Sequence, residues 1–277
     1  MRILVSGATG NVGGELVRQL AAAAAEGVRV RAISRRPAAA ALPDGVEVVF
    51  GDVDRPDSIA AAAKDVDAAF VMAAGRDLGA LRALADAGVQ RVAYQSALTV
   101  QTRPGFLIGA AHVAAERELN SLIPEPVVLR PGQFMSNTLW FREMVPSGTV
   151  HAPFPDVATP SIDPYDIAAV AREVLLEPNG RHAGAAYALT GPELISTRER
   201  IEQLGTVLGR DLRVVEIDRA TAKARMPVPE PYADAALDLN GNPNAAELEV
   251  LPTVEQITGR PPHTFTRWAE RNKHLFG

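Results

Sequence analysis

A chain of 277 residues with 47% hydrophobic and 22% charged residues has ordinary globular composition, and its length favours one large α/β domain with a smaller appendage. The net charge of −5, with no basic tract longer than two residues, gives nucleic acid and an anionic membrane surface no electrostatic footprint. The absence of cysteine excludes disulfides, thiolate chemistry and cysteine-based metal sites.

In chain order, residues 3–6 read as a buried strand and 12–25 as the helix that follows it. A second strand is expected over 28–34 and a third over 46–50, with Pro56 opening a helix that continues through 57–64. Residues 68–72 make a fourth strand, 78–87 a helix closed by Gly88, and 89–95 a fifth strand. Residues 109–121 are expected to be helical and 127–129 to be another apolar strand. Short apolar strands separated by helices of about ten residues indicate βαβ units. The fold class expected is therefore α/β: a doubly wound parallel Rossmann-type sheet over 1–132, with a smaller C-terminal α/β substrate lobe over 133–277, partly interleaved with it.

Beyond Arg130 prolines become frequent and apolar runs shorten. Two helices are expected there, over 167–176 and 196–208, with a strand-like 212–217 and a closing amphipathic segment from Thr264. Asp163 and Asp166 read as a helix start rather than an acid pair, and the remaining histidines have no metal-ligand spacing, so no metal site is expected. Met1-Arg2-Ile3-Leu4-Val5 runs into a glycine loop with no apolar leader before it, and no apolar stretch approaches the ~18–20 residues of a bilayer span. A cytoplasmic location is expected; monomer and homodimer both stay open.

The loop Gly7-Ala8-Thr9-Gly10-Asn11-Val12-Gly13 lies between a predicted strand and a predicted helix, the context in which a G-x-x-G-x-x-G pattern holds a pyrophosphate. The first glycine permits the turn, the second lets the phosphate approach and the third lets helix and sheet close together. Strand two ends at Ser34-Arg35-Arg36, where arginine suits a 2′-phosphate better than the acidic residue that would accept a ribose hydroxyl. That favours NADP(H), with NAD(H) possible; the alternative is a solvated pair of surface arginines. Asp52 and Val53, after strand three, are placed to meet adenine, unless Asp52 only starts the next helix. Ala73-Ala74-Gly75 is expected to form a backbone wall beside the dinucleotide. Gln133, Phe134, Asn137, Trp140 and Phe141 follow strand six on the ligand side of such sheets; aromatics with amides suit a flat organic substrate or ordinary packing between lobes.

These residues resemble the NmrA-like branch of the atypical short-chain dehydrogenases/reductases. The resemblance is carried by the loop at 7–13, by residues 84–95 ending at Ser96, and by His112, Glu116 and Leu119. Val128-Leu129-Arg130-Pro131-Gly132 and Phe134-Met135-Ser136-Asn137 continue it, and Ile257-Thr258-Gly259-Arg260-Pro261-Pro262 with Thr264-Phe265 and Trp268-Ala269 completes it. It implies a Rossmann-type domain, a small second lobe, and a substrate cleft between them. Members include reductases of quinones and aromatic ketones, and others that bind the dinucleotide as sensors.

The Ser, Tyr and Lys of mainstream short-chain dehydrogenases fall here on Ser96, Ile108 and His112. Ile108 cannot transfer a proton, so a reduced carbonyl would draw its proton from His112, Tyr94, another cleft group or water. Ser96 and His112 are also candidates for cofactor contact, and His112 for a plain helix-face role. General acid assistance is typically worth ~10²–10⁴-fold, so a weakened acid favours a quinone-like or enone acceptor over a simple ketone. The expected function is hydride transfer between NADPH and a small quinone-like, enone or aromatic carbonyl compound. A non-catalytic redox sensor, or an enzyme using the dinucleotide for non-redox or oxygen-dependent chemistry, is the alternative.

Overall fold

The computed structural model describes residues 1–72 and 78–277. The first half alternates strand and helix: β1 (Arg2–Val5), α1 (Asn11–Ala22), β2 (Arg29–Ser34), β3 (Glu47–Phe50), α2 (Pro56–Ala62), β4 (Ala68–Val71), α3 (Leu78–Asp86), β5 (Arg91–Gln95), α4 (Thr99–Thr102), α5 (Leu107–Leu122) and β6 (Glu125–Pro131). The second half holds β7 (Thr149–Ala152), β8 (Ala158–Thr159), α6 (Pro164–Leu176), β9 (Ala186–Leu189), β10 (Ile195–Ser196), α7 (Thr197–Leu208), β11 (Arg213–Glu216), α8 (Arg219–Ala224), α9 (Glu230–Gly241), α10 (Thr253–Thr258) and α11 (Phe265–Asn272). The main sheet has the order β3-β2-β1-β4-β5-β6-β9, with every neighbouring pair parallel. The expected doubly wound topology is borne out. No helix among the described residues is long and apolar enough to cross a membrane.

Alternation along the strands explains the two covered faces. Ile3 and Val5 of β1 point into one buried cluster with α1 and α6, while Leu4 points into a second with α2 and α3. On β4, Ala68 and Phe70 join the first cluster and Ala69 and Val71 the second. A strand covered on both faces needs apolar residues at every position, which is why these strands read as unbroken apolar runs. A third cluster, with Met135, Val150, Leu204 and Trp268, forms the core of the second half.

The later residues depart from the expected pattern in number of elements. Besides the helices anticipated at 167–176 and 196–208, the chain forms α8, α9 and α10. Helix α9 begins at Glu230-Pro231, a first turn in which proline costs no hydrogen bond and Glu230 faces the positive helix end. The strand expected at 212–217 is β11, and it pairs with β7 rather than with the main sheet. The element that does extend the main sheet, β9, follows α6. In the first half, the helix expected over 12–25 stops at Ala22 because the chain tightens into a 3₁₀ turn, Ala24–Glu26, and leaves through Gly27 with φ 81°. Alanine-rich sequence carries no signal for that stop.

A close backbone approach lies between β1 and α1. Gly7 turns out of the strand with φ 61°, a conformation glycine adopts without steric cost. A Cβ on Gly13 would sit 2.3 Å from the Gly7 carbonyl oxygen and 2.8 Å from that of Ser6. Only backbone lies in the way, so relief requires the helix to move. Gly13→Ala is expected to destabilise the protein by about 1–3 kcal/mol, whereas Gly14→Ala, whose Cβ would meet its nearest atom at 3.4 Å, should cost nothing. Urea unfolding of both variants checks this; equal midpoints would show that α1 can recede freely.

Candidate active site

The glycine loop occupies the switch point of the sheet, between β1 and β4. Gly10 precedes α1 with no side-chain cap among the described residues, which leaves the first-turn N–H groups and the positive end of the helix macrodipole without a capping side chain there. Thr9, Gly10 and Asn11 are exposed, while Val12 and Gly13 are buried under the turn. The Asn11 side chain donates to Ser136 Oγ at 3.1 Å, tying the loop to the segment after β6. Met72 follows β4; its methyl would lie 2.8 Å from a Cβ on Gly7, and it also lines the cleft described below. Loop and cleft are thus neighbours.

At the end of β2, Ser34 Oγ accepts from the Arg36 N–H at 3.1 Å, and both Arg35 and Arg36 are exposed without an ion-pair partner among the described residues. Gly51 lies against Ile33 so closely that a Cβ would meet it at 2.7 Å, which brings the end of β3 beside that of β2. Asp52 Oδ1 accepts from the Asp54 N–H at 3.1 Å, forming a local turn ahead of α2. The helix begins at Pro56 with Arg55 as its N-cap and no side-chain cap, so Asp52 turns the loop without capping α2, and its other oxygen has no partner among the described residues. Val53 packs against the second core cluster. Ala73, Ala74 and Gly75, expected as a wall beside the dinucleotide, lie outside the described residues.

Two side-chain rungs join β5 to α5. Tyr94 Oη and His112 Nδ1 are 2.8 Å apart, with the rings edge to face. Two residues further along the strand and four along the helix, Ser96 Oγ donates to Glu116 Oε1 at 2.5 Å. Arg130 on β6 holds the same carboxylate with Nε at 3.1 Å and a terminal nitrogen at 2.5 Å. All four rung residues are buried. With its hydrogen committed to Glu116, Ser96 presents lone pairs to its surroundings and acts as an acceptor. That differs from the donor role the serine has in mainstream short-chain dehydrogenases.

A cleft of about 370 Å³ opens at the C-terminal ends of β5 and β6. Leu98, Ile108, Phe134, Trp140, Leu239 and Pro243 supply its apolar walls, and Gln95, Ser96, Thr99, His112, Gln133 and Asn137 its polar points. Of the five residues expected to meet substrate, Gln133, Phe134, Asn137 and Trp140 line the cleft. Phe141 does not. It turns into the core of the second half, where Leu139 and Met144 also pack, because the 3₁₀ segment Met135–Phe141 presents successive residues to different sides. Tyr94 is a second correction. It is fully buried in the core cluster behind β5 and, among the described residues, meets the cleft through His112.

Several site-forming residues were not anticipated. Asn137 donates to Gln133, and Gln133 donates to Asn240 of α9 at 3.2 Å, an amide chain linking the post-β6 segment to a helix remote in sequence. Across the mouth, Arg103 donates to both oxygens of Glu247 at 2.7 Å, Thr102 donates to the same carboxylate at 3.0 Å, and Asn244 donates to the Thr102 carbonyl. Burial alone would raise the Glu247 carboxyl, but the bonds from Arg103, the Asn244 N–H and Thr102 outweigh it and hold the group below the usual glutamate range.

Asp163, Asp166 and His263 offer ligand atoms within 4.8 Å of one another. Their oxygens are already engaged: Asp163 caps α6 through the Tyr165 N–H and meets His263 Nδ1 at 2.9 Å, while Asp166 meets the His263 N–H at 2.7 Å and Arg260 at 2.8 Å. The group pins the segment before α11 onto α6, away from the cleft.

A parallel doubly wound sheet with a glycine loop at its switch point, and a cleft beyond the ends of its central strands, defines a Rossmann-type dinucleotide-binding protein. The chain belongs to the NmrA-like family, whose sequence model matches residues 1–251. It is 35% identical to a (4-alkanoyl-5-oxo-2,5-dihydrofuran-3-yl)methyl phosphate reductase of Streptomyces griseus, and 31% identical to an NAD(P)H azoreductase of Xenophilus azovorans. Each likeness covers 99% of both chains. Among solved structures, the NADPH complex of an NADPH-dependent quinone oxidoreductase from Escherichia coli shares the fold, with a TM-score of 0.79 at 23% identity, over 99% of this chain and 100% of that one.

The Arg103–Glu247 contact makes a pH prediction. A carboxyl whose folded pKa is depressed contributes stability that is present above the unfolded value, about 4.3 for glutamate, and is lost as pH falls through the folded one. Glu247→Gln should lower the melting temperature at pH 7, and by less at pH 3. The same loss at both pH values would mean that shape, not charge, matters at this position.

Proposed function

We propose that this protein is an NADP(H)-dependent oxidoreductase that reduces a small, flat quinone-like, enone or aromatic carbonyl compound. The observation that carries the reading is continuity: an uncapped glycine-loop helix end meets, through Met72, an apolar cleft with His112 and Ser96 in its floor. The named relatives support it, since the Streptomyces griseus protein is a reductase of a dihydrofuranone and the Xenophilus azovorans protein an azoreductase.

The residues present fit the cofactor. Gly7, Gly10 and Gly13, with the first-turn N–H groups at 11–13, hold the pyrophosphate. Arg35, aided by Ser34 and Arg36, takes the 2′-phosphate, and Asp52 with Val53 takes the adenine. Bound in reduced form, the nicotinamide supplies a hydride. The protein contributes orientation and a proton. Ser96 accepts a hydrogen bond from a ribose hydroxyl, its own hydrogen being fixed on Glu116. His112 is the proton donor, and Tyr94, hydrogen-bonded to Nδ1, is its positioning residue. A tyrosine hydroxyl donating to Nδ1 leaves the ring's hydrogen on Nε2, the tautomer that donates. Ile108 stands in the cleft where mainstream enzymes place their acid, so the apolar walls exclude water without supplying a proton.

Titration with NADPH and NADH, followed by oxidation of the cofactor with quinones and enones, tests the reading. Arg35→Ala should weaken NADPH by roughly 10-fold or more, the worth of a charge-assisted hydrogen bond, and leave NADH nearly unchanged. Equal losses would remove Arg35 from the phosphate. His112→Ala should lower kcat by ~10²-fold or more with an enone and by less with a quinone, whose product water can protonate. Tight NADPH binding without oxidation by any acceptor would replace the enzyme with a dinucleotide sensor.

A further inference from the structure

Gln95, the last residue of β5, and Thr99, the first of α4, both line the cleft and are each 6% exposed. Gln95 Oε1 and Thr99 Oγ1 are shielded from solvent and have no hydrogen-bond partner among the described residues. Polar neighbours in the same floor are satisfied: Ser96 on Glu116, and Gln133 on Asn137 and Asn240. Buried polar atoms are almost always paired, and an orphaned one needs an explanation. Nor is Thr99 free to withdraw. A Cβ on Gly109 would lie 2.9 Å from the Thr99 carbonyl group, so α4 is seated directly on α5 by the lack of a side chain there.

A threonine hydroxyl and a glutamine amide each donate and accept. The Thr99 hydroxyl and the Gln95 amide nitrogen can donate to a carbonyl oxygen and, once that oxygen has become a hydroxyl, Gln95 Oε1 can accept from it. Ser96 cannot make this exchange, because its hydrogen is held by Glu116. We propose that Gln95 and Thr99 form the subsite for a carbonyl oxygen of the acceptor, and that they determine specificity for oxygen-bearing acceptors. The proposal rests on the reductase reading above and adds the two residues that recognise the substrate.

The test is binding of 1,4-naphthoquinone to the NADP⁺-loaded protein, followed by quenching of Trp140, which is 62% exposed in the cleft wall while Trp268 is buried. Thr99→Val should weaken the quinone by roughly 5- to 100-fold, the range for a buried hydrogen bond lost to an unpaired partner. Thr99→Ser should restore it, and Gln95→Leu should weaken it likewise. NADP⁺ affinity should stay at the wild-type value. The melting temperature of Thr99→Val should be equal to or above wild type, because an unsatisfied hydroxyl is removed. Opposite movement of stability and quinone affinity is the signature of a ligand site, which a structural role would not give. Wild-type quinone affinity in both Thr99→Val and Gln95→Leu would overturn the proposal and leave the reductase reading standing. A loss of NADP⁺ affinity instead would assign the pair to the dinucleotide and also overturn it. A wild-type protein that binds NADP⁺ but no quinone would overturn the acceptor class itself, and the subsite with it.

Discussion

Two residues of a strand span about 6.6 Å and four residues of a helix about 6 Å, and the polar floor of the cleft depends on that near-match. Tyr94 on β5 and Ser96 just beyond its end stand two apart, His112 and Glu116 four apart on α5, and each pair faces the other at hydrogen-bond distance. Arg130, from the next strand, neutralises the second rung. Buried polar groups are costly unless paired, and here the pairing also decides which hydrogens are committed. Ser96 is held as an acceptor, and His112 is held by Tyr94 at the cleft wall. The rungs sit at the carboxyl end of the sheet, where a doubly wound fold places its ligands, and the parallel strands cannot bring them anywhere else.

The glycine loop is fixed by a separate constraint, the contact of α1 with β1 at Gly13. What joins the two is chain from the second half. Ser136 receives Asn11, Asn240 receives Gln133, and Glu247 receives Arg103 and Thr102. Each bond reaches across more than a hundred residues of sequence and closes one side of the cleft. The second half therefore roofs a site whose floor belongs to the sheet, and at Glu247 both ion-pair partners are largely shielded from water, so removing one would leave the other charge buried and unpaired.

Much of this was readable in the sequence, and the rest was not for definite reasons. Strands covered on both faces show as apolar runs, so β1 to β6 and their order of succession were visible, as was the loop at 7–13 in its strand-to-helix setting. Helix ends in alanine-rich stretches were not, because nothing in Ala21 to Ala25 marks the stop. Asp163 reads as a helix start and is one, with its carboxylate on the Tyr165 N–H. Trp140 and Phe141 look alike in sequence, yet the 3₁₀ turn sends one to the cleft and the other to a core. Pairings between remote elements left no local trace. Glu116 and Arg130 lie in a stretch of family likeness with no local sign of a role, and nothing in the sequence distinguishes Gln95 and Thr99 beside Ser96. A strand residue facing a helix residue two and four positions on would have been the signal for the Ser96–Glu116 rung.

Glycine loop and cleft form one continuous site on this reading, and amide hydrogen exchange would show it residue by residue. First-turn N–H groups of α1 have no intrahelical partner, so they exchange readily in the free protein. Adding NADP⁺ should slow exchange at residues 7–14, and adding a quinone to that complex should extend protection to 95–108 and 133–140. Protection by NADP⁺ that misses the loop, or quinone protection away from the cleft, would contradict the account.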